Sequence, residues 1–394
     1  MIEQIRELRS RVEKLYIYGS GFYGNNLYDI VKQHGIVIDG FLNTEAPRTL
    51  SSRGIPVYQA KDVIDEKCGI VLGMSETYAA SVSEYLRDFS VPTNQIMDAG
   101  VYMFRNTGQE EQNRKAYLEV TTVLGCSVNC KYCPQRMLLE KYFREDRSRP
   151  NMMTVDVFSE ILNHISKDTV IMFAGMGEPF LNPDCLKLLK MACDSGRSVQ
   201  LFTSLVGASL ETLREVIQLP ISFCTLHVAD AENNAKIPLT EEYYKKLELL
   251  LEAKKVASSG GGFVDAANAQ GSVDARVISI CKGKIEVTTA VHDRAGNLDS
   301  VDCVSRQHAL DKRDRIFCNR IGERLEGNVV LPDGTLLLCC QDYGMQHVLG
   351  NLYLQSMDEI RQGETFMEIQ KAFRGDSGME LLCRKCLCAK IIGK

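Results

Sequence analysis

The chain has 394 residues, 45% of them apolar and 25% charged, the proportions of a soluble globular protein rather than a disordered, collagenous or coiled-coil chain. At about 150 residues per domain, this length predicts two or three domains. Forty-six basic residues against 51 acidic ones leave a net charge of -5, which favours no polyanionic partner and makes a nucleic-acid substrate unexpected.

The opening stretch, MIEQIRELRSRVEK, is charged and reads as a short helix without the apolar core of a signal peptide. No run approaches the roughly 18–20 apolar residues that span a bilayer. A cytoplasmic, reducing location with no membrane partner is expected. There, 15 cysteines point to metal or catalysis before disulfides. Three segments are expected: residues 1–107, 116–300 and 301–394, with the polar run 106–115 (NTGQEEQNRK) as a linker.

The first segment predicts a strand over 15–18, the turn Gly19-Ser-Gly-Phe-Tyr-Gly24, a helix over 25–33 and a second strand over 36–42. This is the order of a Rossmann-like unit, in which glycines allow a tight turn and the helix N-terminus offers free N–H groups to a phosphate. Asn43 stands where an acidic ribose partner is expected. Two readings stay open: a nucleotide-binding domain, or a small α/β domain that only packs.

The middle segment alternates strands, at 117–123, 169–173, 199–203, 221–227 and 285–291, with helices. Val155, Phe158, Ile161, Leu162 and Ile165 share one helical face. Thr154 and Thr240 are candidate N-caps. Near-continuous apolar strands between helices predict a parallel sheet covered by helices. The run 258–262 (SSGGG) and the polar residues after it read as a flexible loop.

At the end of the first of these strands lies Cys126-Ser-Val-Asn-Cys130-Lys-Tyr-Cys133. A 4Fe–4S cluster normally takes four cysteines; three leave one iron open to a small molecule. A zinc site is the alternative. After the second strand comes Gly175-Met176-Gly177-Glu178-Pro179, which is otherwise a plain strand-to-helix turn. The cysteine spacing, the aromatic Tyr132 before the third cysteine, and this second motif resemble the radical S-adenosylmethionine (SAM) superfamily. Met176 replaces the second glycine of that family's GGEP motif, a change that backbone contacts survive.

The resemblance implies a partial (β/α)6 barrel. It implies a first 4Fe–4S cluster on Cys126, Cys130 and Cys133, with SAM on its open iron. It also implies SAM contacts from Tyr132 and from Gly175, Met176, Gly177, Glu178 and Pro179. Cleavage of SAM by one electron, from a donor such as flavodoxin or ferredoxin, releases a 5′-deoxyadenosyl radical that takes hydrogen from a substrate carbon. Ser204 lies where many members bind ribose. His227, in Thr225-Leu226-His227, is a candidate acid or base, or a satisfied barrel histidine. Cys224, facing the other way, reads as core. Asp293-Arg294-Ala295-Gly296-Asn297 resembles the segment that closes the barrel; Arg294 either contacts SAM or ends the strand. Cys281 and Cys303 are either hydrogen-atom donors or structural.

The last segment holds Cys318, Cys339, Cys340 and the tail Cys383-Arg-Lys-Cys386-Leu-Cys388, around a hairpin signal with Asp333-Gly334 at its turn. This resembles the SPASM domain and its shorter twitch relative, which hold auxiliary iron–sulfur clusters. One auxiliary 4Fe–4S cluster on Cys318, Cys339, Cys383 and Cys386 is expected, with Cys340 and Cys388 ambiguous and a zinc ribbon as the alternative. The first segment resembles a domain found beside enzymes of surface-polysaccharide and nucleotide-sugar metabolism. That implies a small-molecule substrate, a sugar or nucleotide sugar, which the enzyme oxidises, epimerises or dehydrates. The alternatives are a maturase of a ribosomal peptide and, outside catalysis, an iron–sulfur electron carrier.

Overall fold

The computed structural model describes residues 2–20, 22–44, 46, 51–74, 82–89, 91–99, 115–144, 146–256, 262–285, 287–289, 294–298, 309–318, 320–322 and 324–392. Two compact units cover residues 1–110 and 111–394. Residues 100–114, nearly all of the expected linker, and residues 299–308, at the boundary expected near 300, fall outside the described set.

The first unit is built on β1 (Lys14–Tyr18), β2 (Gly40–Asn43), β3 (Ser51–Ser52), β4 (Ile55–Gln59), β5 (Cys68–Leu72) and β6 (Ile96–Asp98). Their order is β3-β4-β2-β1-β5-β6, parallel except for the β3–β4 edge pair. The order reverses at β1, the doubly wound arrangement of Rossmann-like sheets. Alternation along β1 sends Leu15 and Ile17 to a core with Ile5, Leu8, Leu27 and Val31. Tyr16 and Tyr18 go to the other face, with Ile70, Leu72 and Leu86. The helix after the glycine turn starts at Phe22, three residues before the expected position, and β2 is shorter than expected.

The turn is closed on itself. Gly19 has φ +98°, and a Cβ on Gly24 would collide with the Gly19 carbonyl. Asn43 spends its amide inside the same unit: its Oδ1 accepts from the Ser20 N–H at 3.3 Å and from the Ser20 hydroxyl at 3.1 Å.

The second unit carries β7 (Tyr117–Val120), β8 (Val170–Phe173), β9 (Val199–Thr203), β10 (Ile221–His227), β11 (Ala266–Ala269) and β12 (Val287–Thr289) as consecutive parallel neighbours. Helices Gln135–Tyr142, Val155–Asn163, Cys185–Asp194, Leu210–Val216, Glu241–Glu252 and Ala275–Cys281 lie between them in the chain. The starts of four of them, those after Thr154, Ser209, Thr240 and Asp274, are marked by side chains that accept orphan N–H groups. Thr154 takes Val157 N at 3.3 Å, Ser209 takes Thr212 N at 3.0 Å, and Thr240 takes Tyr243 N at 3.1 Å. Each such cap contributes about 1 kcal/mol.

β11 corrects the expectation of a loop after residue 262. Its sequence, Ala-Ala-Asn-Ala, has little strand propensity. It becomes a strand because the slot between β10 and β12 supplies both hydrogen-bonding edges, and because Ala267 and Ala269 are small enough to be fully buried there. Asp265 fixes its entry by accepting from Cys224 N at 2.8 Å and pairing with Lys255.

β7 has a second neighbour. β14 (Gly327–Val330) pairs with it in parallel, Gly327 opposite Tyr117 and Val330 opposite Val120. β15 (Thr335–Leu337) and β16 (Val348–Asn351) follow antiparallel, so nine strands form one sheet. The expected hairpin is β14–β15, closed by Gly334 N to Leu331 O at 3.0 Å with Gly334 at φ +87°. A separate ribbon joins β13 (Ile316–Cys318) to β17 (Ala389–Ile391). No helix among the described residues is long and apolar enough to cross a membrane.

Gly24→Ala should lower the stability of the first unit by about 2 kcal/mol, since the added methyl has no space. Thermal denaturation should show a lowered midpoint, whereas Gly35→Ala, which meets no atom within 4 Å, should move it much less despite its positive φ.

Candidate functional site

In parallel α/β sheets, ligand sites gather at the carboxyl ends of the strands. Here those ends carry, in chain order, the cysteine loop after β7, the 175–179 loop after β8, Thr203 and Ser204 after β9, His227 at the end of β10 and Asn268 on β11.

Cys126, Cys130 and Cys133 are all partly buried. Burial pushes the Cys130 thiol up to about 12, helped by the nearness of Cys133 and Cys126. Burial raises Cys126 and Cys133 as well. Their hydrogen-bonding neighbours are a peptide carbonyl, Ala235 O at 3.3 Å from Cys130 Sγ, and a phenol, Tyr343 Oη at 3.9 Å from Cys133 Sγ. Peptide N–H groups of Glu178 and Val128 oppose the rise at Cys126, and the Tyr132 hydroxyl opposes it at Cys130. None of these neighbours is a fourth thiol. Among the described residues, no three cysteine, histidine or carboxylate groups converge as ligands of one metal ion. A cubane instead takes its thiolates at separate corners. Three crowded, poorly ionised thiols suit such a polynuclear cation, because its positive irons supply the charge that burial withholds.

The 175–179 loop lies directly against the chain that leaves β7. Gly175 has φ +52°, and a Cβ there would strike Thr121; one on Gly177 would strike Val123 O. Thr121 Oγ1 accepts from Met176 N at 3.0 Å, and Thr122 Oγ1 donates to Pro179 O at 2.9 Å. Met176 is 2% exposed and belongs to one buried apolar cluster with Leu124, Leu138, Val329, Leu331 and Tyr343. That packing explains a large side chain at a glycine position: it grips the β14–β15 hairpin.

Glu178 is buried and its carboxylate is fully engaged. One oxygen accepts from Thr203 Oγ1 at 2.6 Å and Phe180 N at 3.4 Å; the other accepts from Ser204 N and Ser204 Oγ, both at 2.6 Å. Four donors exhaust a carboxylate's acceptor sites. Glu178 therefore ties the ends of β8 and β9 together.

His227 Nδ1 lies 2.6 Å from Asn268 Oδ1. With the amide so turned, Nδ1 carries the proton and Nε2 is the basic nitrogen. Burial lowers the ring's pKa, against the bond to Asn268. Cys224 is fully buried in the core, as its alternation required, and so is Cys281. Cys303 and Asp293 fall outside the described residues. Arg294 has φ +51° and Ala295 +58°, a left-handed pair that costs on the order of 1–3 kcal/mol per residue. The turn is clamped by Asn297 Nδ2, which donates to Gln341 O at 2.9 Å. The guanidinium thus held acts electrostatically on Cys133, Cys340, Tyr343 and His227.

The C-terminal cysteines separate into two sets. Cys318, Cys339 and Cys383 share one buried core; Cys339 feels its chain neighbour Cys340 and then Cys383 and Cys318, and Cys388 acts on Cys318, Cys383 and Cys386. Cys340 faces another way. Its sulfur accepts from Arg320 Nη2 at 3.0 Å and Gln341 Nε2 at 3.6 Å, and it packs in the cluster with Met176 and Tyr343. Arg320 Nη2 also reaches the buried Glu119 of β7 at 3.1 Å. Cys340 is thus spoken for, and Cys388 joins the set around Cys339. Tyr343, Arg320 and Asn268 were not singled out from the sequence. Each touches a site residue far away in the chain and carries no local motif.

Comparison with known proteins adds the following. Residues 120–265 match the family model of the radical SAM superfamily, and residues 318–387 match that of the SPASM iron–sulfur cluster-binding domain. Among curated proteins, the dual-specificity RNA methyltransferase RlmN of Wigglesworthia glossinidia brevipalpis is 26% identical over 157 residues, 37% of this chain and 40% of that protein. The match therefore spans about two fifths of that relative's length. Among solved structures, BtrN in complex with AdoMet and 2-DOIA aligns at 16% identity and TM-score 0.46, over 70% of this chain and 93% of that one. SuiB of Streptococcus suis bound to precursor peptide SuiA aligns at 11% identity and TM-score 0.46, over 79% and 81%.

The two cysteine sets predict different iron contents. Cys339→Ser should lose about four irons per chain and Cys340→Ser should lose none, by colorimetric iron analysis after anaerobic reconstitution.

Proposed function

Because the chain is a radical SAM enzyme with a C-terminal SPASM domain, we propose that it abstracts hydrogen from a carbon of a sugar, a sugar nucleotide or a related polyol. Its cofactors are SAM and 4Fe–4S clusters. When bound, these supply one-electron cleavage of the SAM sulfonium and the 5′-deoxyadenosyl radical that removes the hydrogen.

What carries the reading is the arrangement at the carboxyl ends of β7 and β8: three thiols with no fourth hydrogen-bonded to them among the described residues, beside a loop whose glycines press its backbone onto the chain leaving β7. In this reading Cys126, Cys130 and Cys133 hold three corners of the first cluster. The fourth would be left to the amino and carboxylate groups of SAM. Peptide carbonyls of Gly175 and Gly177 would receive the SAM amino group, Met176 and Pro179 hold the loop through hydrogen bonds of their peptide groups to Thr121 and Thr122, and Glu178 acts by bracing Thr203 and Ser204. Ser204 keeps lone pairs for a ribose hydroxyl, Tyr132 lines the cluster loop, and Arg294 supplies positive charge beside Cys133. His227, with Nε2 unprotonated, is the group suited to take a proton from the substrate.

The auxiliary cluster takes Cys318, Cys339, Cys383 and Cys386, with Cys388 as the other claimant to the last position. Ligation by four thiolates leaves no iron for substrate. It favours a role as acceptor of the electron left on the substrate radical, completing a two-electron oxidation. The first unit supports the sugar assignment through its doubly wound sheet and glycine turn and its resemblance to domains of nucleotide-sugar metabolism.

The reduced, anaerobic protein should convert SAM to 5′-deoxyadenosine, and Cys126→Ala should abolish this while keeping about four of about eight irons. Carbon-deuterated nucleotide sugars should pass deuterium into 5′-deoxyadenosine, read by mass spectrometry. Absence of 5′-deoxyadenosine would refute the chemistry. Transfer from a peptide but from no sugar would refute the substrate class.

A further inference from the structure

Hydrogen bonds to the sulfurs of an iron–sulfur cluster withdraw electron density, favour the reduced form and raise the reduction potential. One such donor reaches the first cysteine loop from 210 residues away in the chain: Tyr343 Oη lies 3.9 Å from Cys133 Sγ, within the longer reach of bonds to sulfur. As a free thiol, Cys133 can donate to the phenol. As an iron ligand, the sulfur has no proton, so the phenol must donate to it.

We infer that Tyr343 is a positioning residue of the C-terminal domain that hydrogen-bonds the Cys133 sulfur and sets the reduction potential of the cluster that cleaves SAM; this rests on the reading of Cys133 as a ligand of that cluster.

The surroundings hold the phenol to this task. Tyr343 is 4% exposed and lies in one buried cluster with Leu138, Tyr142, Met176, Val329 and Leu331. Its loop is pinned by the buried Asp342, whose two oxygens accept from Gln346 N and His347 N at 2.8 Å each. Potential and domain packing are thereby coupled: the cluster held by the barrel reaches its working potential only with residues 318–387 docked on it.

The test is an EPR-monitored potentiometric titration of the reconstituted full chain, with SAM added to identify the signal of the first cluster. Tyr343→Phe keeps the ring and removes only the donor. It should shift the midpoint of the SAM-responsive signal to more negative potential, leaving the other cluster's midpoint and the iron content unchanged. Tyr142→Phe is the control. It removes a hydroxyl from the same apolar cluster, one that donates to Pro150 O at 2.7 Å instead, and should leave both midpoints in place. An unmoved midpoint in Tyr343→Phe overturns the inference. So does an equal shift in Tyr142→Phe, or loss of iron from Tyr343→Phe, which would mark a structural role. A parent chain with no SAM-responsive signal refutes the ligand reading itself, and this inference with it.

Discussion

The second unit depends on β7 having two parallel neighbours. One edge of β7 bonds to β8 and so begins the barrel; the other bonds to β14 and so anchors the C-terminal hairpin. A parallel register aligns carboxyl ends, so the chain leaving β7 meets the loop after β8 at once. Thr121, Thr122 and Val123 then become the floor of that loop, and Gly175 and Gly177 are required because any side chain would enter this floor. The same strand buries Glu119, which Arg320 of the C-terminal segment neutralises across 3.1 Å. A buried carboxylate without that partner would cost several kcal/mol.

Electrostatics follow from this packing. Burial raises the pKa of Cys126, Cys130, Cys133, Cys318, Cys339 and Cys383, and the bond to Cys388, then burial, raises that of Cys386, so the protein alone is a poor host for thiolates. Arg294 offsets part of that cost at Cys133 and Cys340, and two left-handed residues are tolerated to hold it in place. Cys340 illustrates how sharply direction matters. It neighbours Cys339 in the chain and acts on it electrostatically, yet its sulfur bonds Arg320 and it lies in the Met176 cluster, while Cys339 shares the main core with Cys318 and Cys383.

Glu178 belongs to the same theme. Its motif suggests a carboxylate aimed at a ligand, but four donors from β9 and its own turn saturate it. The residue contributes rigidity, joining the second and third strand ends of the barrel so that the peptide groups between them keep one geometry. Preorganised peptide dipoles serve a bound amino acid well, since they need no reorganisation when it arrives.

Much of this was legible in the chain itself. Spacing identified the Cys126–Cys133 loop, the glycine turn, the 155–163 helix with its Thr154 cap and the Asp333-Gly334 hairpin, because each depends on neighbours within about ten residues. What the chain did not disclose depends on partners far apart in sequence. β11 is a strand only because β10 and β12 flank it. Asn268 meets His227 only through their register. Tyr343 and Arg320 reach Cys133 and Glu119 only because β14 lies beside β7. Local sequence determines backbone preference and the chemistry of each side chain. Which of two adjacent cysteines points where, and which phenol approaches which sulfur, is decided by long-range strand pairing, whose hydrogen bonds are the same for every sequence.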